Sequence, residues 1–460
     1  MPHVWPVRAA TLRTSMIVMD AGCKRAGNGR TLGVSLKKRD KVIETMASEF
    51  IRLHYDKVIC ACCFLAIFCN IGLASTSFSV YQPYIVEYPG VGHAGGSVVI
   101  SARLFSSLAC MFFVARFYRK LDCRFGVFVS CCLTGLGYLL FAFAEGLIGL
   151  CVGAVFAGAG YGLGGMVVAT MLIGRWFKTH IGFVAAVAAL GSGVASMVVP
   201  PLVVQVTEAF SLQIAFGAEG VLALALGLAL MALIRNQPSD MGLEPYDRPE
   251  RSKAAKRHHD AFDKEAADRF LPLVYVAMAC VGACCVVGAG YFGILLTADG
   301  FSPLAASGYI ALSGFSLAAG KLVNGMAFDH LGTKNGSLIF FVFMTVGFGL
   351  SCLCGGDHHV VAFAAAVMLG AGMSLGTVGT SVWSLELAPE GRRVVTIKNF
   401  QVAYMVGACA FNFVPGLMAE ASGTYAGSYA IMGVMSLVSA VIIVGVYWYA
   451  ERRKKDVRNA

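Results

Sequence analysis

Two cations stand inside stretches that are otherwise apolar: Arg103 and Lys321. The chain has 36 Lys and Arg residues, and every other one falls in a polar connection or a tail. A cation in hydrocarbon costs about 2.5–3.5 kcal/mol on insertion scales, so it is expected to face a cavity, a partner or a ligand. The chemistry open to such a group is anion binding through charge-assisted hydrogen bonds. Ser106, Ser107 and Cys110 follow Arg103 at i+3, i+4 and i+7. They share a helical face with it, so this stripe predicts that Arg103 looks into a central cavity, with pairing to a neighbouring helix as the alternative. For Lys321 the alternatives are an anion held by the ammonium and a stem that snorkels to the interface.

Other polar groups in apolar stretches are candidates to shape a pocket: Asn70, Tyr161, Tyr291, Asn399, Gln401 and Tyr404. Packing or a helix-to-helix hydrogen bond is the plainer reading of each. Embedded acids are few, namely Glu219 and Glu386, and Glu386 precedes Pro389-Glu-Gly391-Arg392-Arg393, so a structural pairing with those arginines is expected. This scarcity favours anion exchange, or a coupling in which the substrate carboxylate carries the proton. The run Cys352-Leu-Cys354-Gly-Gly-Asp357-His358-His359 gathers ligand types without tetrahedral spacing, so a polar turn is expected there and no metal. Most of the 16 cysteines lie within apolar stretches, as Cys60, Cys110, Cys131, Cys151, Cys280 and Cys284 do, and act as small apolar residues rather than a disulfide framework.

The elements that position these groups follow from composition. With 57% hydrophobic and 13% charged residues and a mean hydropathy of +0.72, the chain departs from soluble globules, which carry roughly 25% charge. Apolar runs of about 20 residues, the length that crosses a ~30 Å hydrocarbon core, recur from end to end. They predict twelve spans near 58–82, 95–117, 126–144, 147–173, 183–203, 213–234, 271–296, 304–326, 337–354, 360–386, 396–418 and 427–449. The expected fold class is all-α integral membrane, with the lipid bilayer as solvent.

Alternate connections hold all the remaining basic residues, whereas Glu87, Glu145, Glu208, Asp299, Asp357 and Glu420 fall on the opposite side. By the positive-inside rule both termini are cytoplasmic, in a multi-pass protein of the cell membrane. The net charge of +10 is then a consequence of topology, and no nucleic-acid partner is expected. The basic segment 1–57 has no apolar stretch long enough for a signal peptide and reads as a cytoplasmic tail. Met46-Ala-Ser-Glu-Phe forms a compact alternative start, which would leave residues 1–45 untranslated.

The chain is also internally duplicated. Gly158-Ala-Gly160-Tyr-Gly-Leu-Gly164 in the fourth span matches Gly370-Ala-Gly372-Met-Ser-Leu-Gly376 in the tenth, 212 residues later. Pro200-Pro201 and Pro415-Gly416 are expected to end the fifth and eleventh spans at a similar displacement. Small residues let membrane helices approach closely, and their constant offset points to two like-oriented halves. The organisation expected is a tail (1–57), a six-helix bundle (58–235), a charged cytoplasmic linker (236–270), a second six-helix bundle (271–450) and a short cytoplasmic tail (451–460), acting as a monomer.

The loop Gly325-Met-Ala-Phe-Asp329-His-Leu-Gly332-Thr-Lys334 resembles the G-x-x-x-D-x-x-G-x-[RK] loop of the major facilitator superfamily. The resemblance implies the major facilitator fold, with Gly325, Asp329, Gly332 and Lys334 forming a conformational latch. In the first half, Arg119-Lys120-Leu-Asp122-Cys-Arg124-Phe-Gly126 keeps an acid, cations and a glycine at shifted spacing, and gives Asp122 the equivalent role. Gly174-Arg175-Trp176-Phe177-Lys178, Gly191-Ser-Gly193 and Pro238-Ser-Asp240-Met-Gly242-Leu243-Glu-Pro245-Tyr246 are similar to one branch, the oxalate/formate antiporters and their monocarboxylate transporter relatives. That branch places a substrate-contacting cation where Lys321 stands, four residues before Gly325. Its oxalate exchangers carry a second cation in span 11, where Tyr404-Met-Val-Gly407-Ala408 has none.

A single carboxylate is therefore favoured over a dicarboxylate. The implied activity is secondary transport of a small organic anion, as exchanger or proton-coupled carrier. Lys321, Arg103, Asn70, Tyr161, Tyr291 and Tyr404 are the candidate binding residues. The alternatives are a proton-driven efflux pump for amphipathic compounds and a sensor that keeps the carrier fold. No nucleotide-binding or hydrolytic motif suggests an enzyme, and no cofactor is expected.

Overall fold

The computed structural model describes residues 55–177, 181–246, 269–355, 358–387 and 393–459. The expectations for the segment before Tyr55, for the middle of the linker and for Lys178, Asp357 and Arg392 lie outside the described residues, as does the side chain of Asp329.

Among the described residues, twelve helices are long and apolar enough to cross a membrane. The first half holds α1 (Tyr55–Val80), α2 (Gly92–Val114), α3 (Cys123–Ala142), α4 (Leu147–Trp176), α5 (Val184–Ala209) and α6 (Leu212–Leu233). The second holds α7 (Leu271–Ala298), α8 (Pro303–Phe328), α9 (Thr333–Ser351), α10 (His359–Ser384), α11 (Lys398–Ser422) and α12 (Ala426–Arg453). Each overlaps one of the twelve apolar runs, with ends displaced by a few residues.

Corresponding helices carry corresponding irregularities. The first helix of each half contains a widened π-helical stretch, Phe68–Thr76 in α1 and Ala283–Val287 in α7. The fourth breaks at Gly165 in α4 and at the 3-10 turn Ser374–Gly376 in α10. The repeated glycines are close-approach points. A Cβ on Gly158 would lie 2.1 Å from the Arg103 carbonyl oxygen, and one on Gly370 would lie 2.2 Å from that of Ser313. Each therefore brings the fourth helix of its half onto the second, so the duplication in sequence is a duplication of packing.

The prolines do not end their spans. The fifth helix runs from Ile181 to Ala209 through Pro200 and Pro201. Membrane helices tolerate proline where neighbours satisfy the freed backbone groups. In α11 the helix breaks at Asn412, between Phe411 and Phe413. Pro415 has no N–H to offer Phe411, and its ring crowds that carbonyl.

The two branch-like motifs meet at the basic end of the first half. The Tyr246 N–H donates to the Trp176 carbonyl at 2.8 Å, and the Trp176 indole donates to the Arg235 carbonyl at 3.0 Å. The rings of Phe177 and Tyr246 lie 5.9 Å apart. Gly242 makes the turn this clamp needs in a left-handed conformation (φ 65°). At the other end of the linker, Phe270 packs edge-on to Tyr449 of α12 at 5.2 Å.

Candidate functional site

Lys321 is 1% exposed. Its ammonium does not snorkel but crosses to the first half, donating to the Ala189 carbonyl and the Ser192 Oγ of α5, each at 2.8 Å. Both acceptors are neutral, and among the described residues Lys321 forms no ion pair. An ammonium has three donors, so two bonds leave one for a further acceptor. The seam that brings the lysine there is built from small residues. A Cβ on Gly193 would meet the Cβ of Ala318 at 2.8 Å, and one on Gly314 would meet the Met197 nitrogen at 2.6 Å. Ser192 and Ala189 were not among the candidates. Their only sequence signal is the small-residue run Gly191-Ser-Gly193, whose partner helix lies more than a hundred residues away.

Arg103, also 1% exposed, is turned to α1. Its Nη1 donates to the Ala74 carbonyl at 2.8 Å, and its guanidinium sits 4.6 Å over the Phe78 ring, while Nε has no partner. It shares no partner with Lys321, so the two cations form separate arrangements, one within the first half and one between halves.

The remaining candidates divide similarly. Asn70 is bonded within the first half, donating to the Ala66 carbonyl and Cys131 Sγ and accepting from Thr134 Oγ1 at 3.1 Å. It is a helix-packing residue of α1 and α3. Tyr161 and Tyr404 are half-buried; the Tyr404 hydroxyl points to where α10 passes at Gly376. Asn399 is half-buried and Gln401 exposed. Tyr291 belongs to a second seam, where its hydroxyl lies 2.7 Å from Ser97 Oγ of α2 and 3.0 Å from the Asn412 carbonyl. Asn412 Nδ2 donates to the Ser97 carbonyl at 3.0 Å and Ser101 Oγ at 2.8 Å. Asn412 was missed, although an amide in an apolar span beside a proline was visible.

At the basic end of the second half, Gly332 adopts φ 80° and ψ 156°, a region essentially restricted to glycine. Lys334 forms an ion pair with Glu451 at the end of α12. Glu386 accepts from Thr333 Oγ1 at 3.0 Å and from the Tyr447 hydroxyl at 2.7 Å; the side chains of Arg392 and Arg393 lie outside the described residues. Asp122 is exposed, and Gly325 has open space where a Cβ would stand.

Among the described residues no three His, Cys, Asp or Glu side chains are grouped to hold a metal. The Cys352 thiol bonds the Phe348 and Ala426 carbonyls, and His359 Nδ1 meets the Tyr309 hydroxyl at 2.8 Å. Burial pushes Asp299, just beyond α7, up to about 6.

Twelve helices in two matching sixes, with breaks in corresponding places and polar seams between them, define a transporter fold. Residues 63–343 match the Major Facilitator Superfamily; this is more than half of the chain, and the chain belongs to that superfamily. The fold is similar to a D-xylose-proton symporter (TM-score 0.66, 14% identity, 85% of this chain and 96% of the other). It is also similar to a POT family transporter in complex with 5-aminolevulinic acid (0.64, 13%, 85% and 96%) and to the nucleoside transporter NupG (0.63, 16%, 85% and 100%). No curated protein matches it in sequence. The protein is thus a multi-pass membrane protein with the architecture of secondary transporters.

Proposed function

We propose that this chain carries a small organic anion, a monocarboxylate, across the cell membrane by alternating access, with both termini in the cytoplasm. One observation carries the reading: the Lys321 ammonium is sealed between the halves and, among the described residues, bonded only to two neutral acceptors of the opposite half. A buried cation without a counter-charge is costly, and a carboxylate arriving at the seam would supply one. It would compete with the Ala189 carbonyl and Ser192 for the ammonium, so binding would loosen the bond between α5 and α8. Binding would then be coupled to relative movement of the halves, as a rocker needs. The branch-like motifs support the monocarboxylate class. Tyr161 and Tyr404, both half-buried, are the aromatic groups we assign to the cavity wall, with Arg103 shaping α1 behind it. Gly332, Lys334 and Asp329 form the latch at the basic end, with Asp122 its first-half counterpart.

The test is uptake of a panel of labelled mono- and dicarboxylates into proteoliposomes, with Lys321→Ala alongside. A hydrogen bond to a charged group contributes about 1.5–3 kcal/mol, so the variant is expected to weaken monocarboxylate binding by roughly 10- to 150-fold. Carboxylate flux unchanged in Lys321→Ala refutes the site. The efflux reading has one feature in its favour, an apolar groove of about 420 Å³ along α7 and α11, lined by Tyr275, Ala279, Val402 and Val406 among others. It predicts flux of neutral or cationic amphiphiles that is indifferent to Lys321.

A further inference from the structure

The first half contains an acid that the anion reading does not use. Glu219 lies on α6, seven residues, or about 10 Å, from the Leu212 end. It is 5% exposed, and neither carboxylate oxygen has a hydrogen-bond partner. The hydroxyls of Tyr81 and Tyr138 face it, outside hydrogen-bond geometry. Cys69 of α1 is the other titratable group turned toward it, and no cation faces it among the described residues. Around these groups is an aromatic shell: Tyr81 stacks on Phe216 at 4.3 Å, and Phe141 lies 5.3 Å from Phe216.

Tyr138 connects this acid to Arg103, since it faces both charged groups. Its hydroxyl donates to the Leu73 carbonyl at 2.6 Å, while Arg103 donates to the next carbonyl, that of Ala74. Both acceptors belong to the π-helical stretch Phe68–Thr76. Tyr81, Ser77, Ser79 and Gln82, which continue the chain beyond that stretch, also hold buried side-chain atoms without a partner. Buried polar groups are normally satisfied, and the unpartnered Tyr81 hydroxyl facing the unpartnered Glu219 carboxyl is a pairing that packing alone does not account for.

We propose that Glu219 is a proton-binding site, neutral while the first half is packed as described, and that Tyr138 transmits its charge to α1. An ionised carboxylate with no counter-charge in an aromatic shell is strongly disfavoured. When the proton leaves, two acceptors compete for the single Tyr138 O–H: the new carboxylate and the Leu73 carbonyl. The carboxylate is the stronger acceptor, so Leu73 loses its partner and the π-helical turn that also holds Arg103 is released. The Tyr81 hydroxyl, without another hydrogen-bond partner among the described residues, is the relay by which the proton reaches the acidic end.

The site requires no assumption about the carried solute, so it is tested without one. Infrared difference spectra of the full chain in phosphatidylcholine vesicles are recorded across a pH titration. The expected result is a protonated-carboxyl C=O band that titrates in the wild type, disappears in Glu219→Gln and is moved without being lost in Tyr138→Phe. No such band in the wild type, or one that survives in Glu219→Gln, overturns the proposal. Should Glu219→Gln not reach the membrane, Glu219→Asp replaces it, with a displaced band expected; a band at the wild-type frequency counts against the assignment. Loss of carboxylate flux in Lys321→Ala bears on the anion site and leaves this result unaffected.

Discussion

Replacing Gly314 by Ala should open the seam on which Lys321 depends. The new Cβ would sit 2.6 Å from the Met197 nitrogen and from the Ser196 carbonyl carbon. Ordinary contact begins near 3.4 Å, so the shortfall is about 0.8 Å, and the obstructing atoms are α5 backbone that cannot swing aside in a close-packed interface. Overpacking of this kind costs about 1–3 kcal/mol. Alanine also favours the helix over glycine by about 1 kcal/mol. That gain is common to every conformer with α8 intact, and only the clash distinguishes them. The population in which α5 and α8 are closed should therefore fall by roughly 5- to 150-fold relative to those in which they part. Gly308, on the same helix, provides the control, because nothing lies within 4 Å of its added Cβ. Amide hydrogen exchange read by mass spectrometry should rise in peptides covering 186–198 and 311–323 in Gly314→Ala, and stay at the wild-type level in Gly308→Ala. Equal exchange in the two variants would refute the account of the seam.

Three further outcomes are expected. Asn412→Ala removes two bonds to α2, those to the Ser97 carbonyl and Ser101 Oγ, at about 0.5–1.5 kcal/mol each, while Ser101 keeps its own bond to the Ser97 carbonyl; exchange should rise in the segments around Ser97 and Asn412 while the Lys321 seam is unaffected. Gly332→Ala forces a side chain into a backbone region that costs about 1–3 kcal/mol, so its thermal unfolding in detergent should occur at lower temperature, whereas Gly325→Ala, inside α8 with open space at its Cβ, should unfold no lower than the wild type and gain up to about 1 kcal/mol of helix propensity. The third concerns Asp299, whose folded carboxyl is raised to about 6 by burial. The folded chain then binds more protons than the unfolded chain between about 4 and 6. Stability is expected to fall as pH rises through that window and to level off above it, and a melting-temperature series in which Asp299→Asn keeps the same slope would contradict this.

The twelve spans were legible because bilayer thickness fixes how long an apolar run must be, and the duplication because the fourth and tenth spans must each approach a partner backbone at the same two glycines. Lys321 was identifiable as an anomaly, but not its partners: Ala189 and Ser192 are ordinary small residues, and the contact is 129 residues long in sequence. Asn70 appeared a pocket candidate because amides are rare in spans; its neighbours Thr134 and Cys131, which satisfy it, carry no such mark. Pro200 and Pro201 suggested a helix end by their chemistry, yet the helix continues because neighbouring helices set its path more strongly than local propensity does. Glu386 was expected to serve the arginines that follow it, and its described partners, Thr333 and Tyr447, come from α9 and α12, distant in sequence.

The linker motifs have a mechanical consequence. Tyr246 is fastened to the fourth helix and Phe270 to the twelfth, so the tether proper is shorter than the charged segment and begins and ends on rigid anchors. Tension carried by the covalent connection therefore enters and leaves the bundles at Tyr246 and Phe270, and a chain break between them would leave each stump docked on its own bundle. The covalent connection sets how far the two bodies can drift apart, whereas their recognition of one another rests on the helix seams.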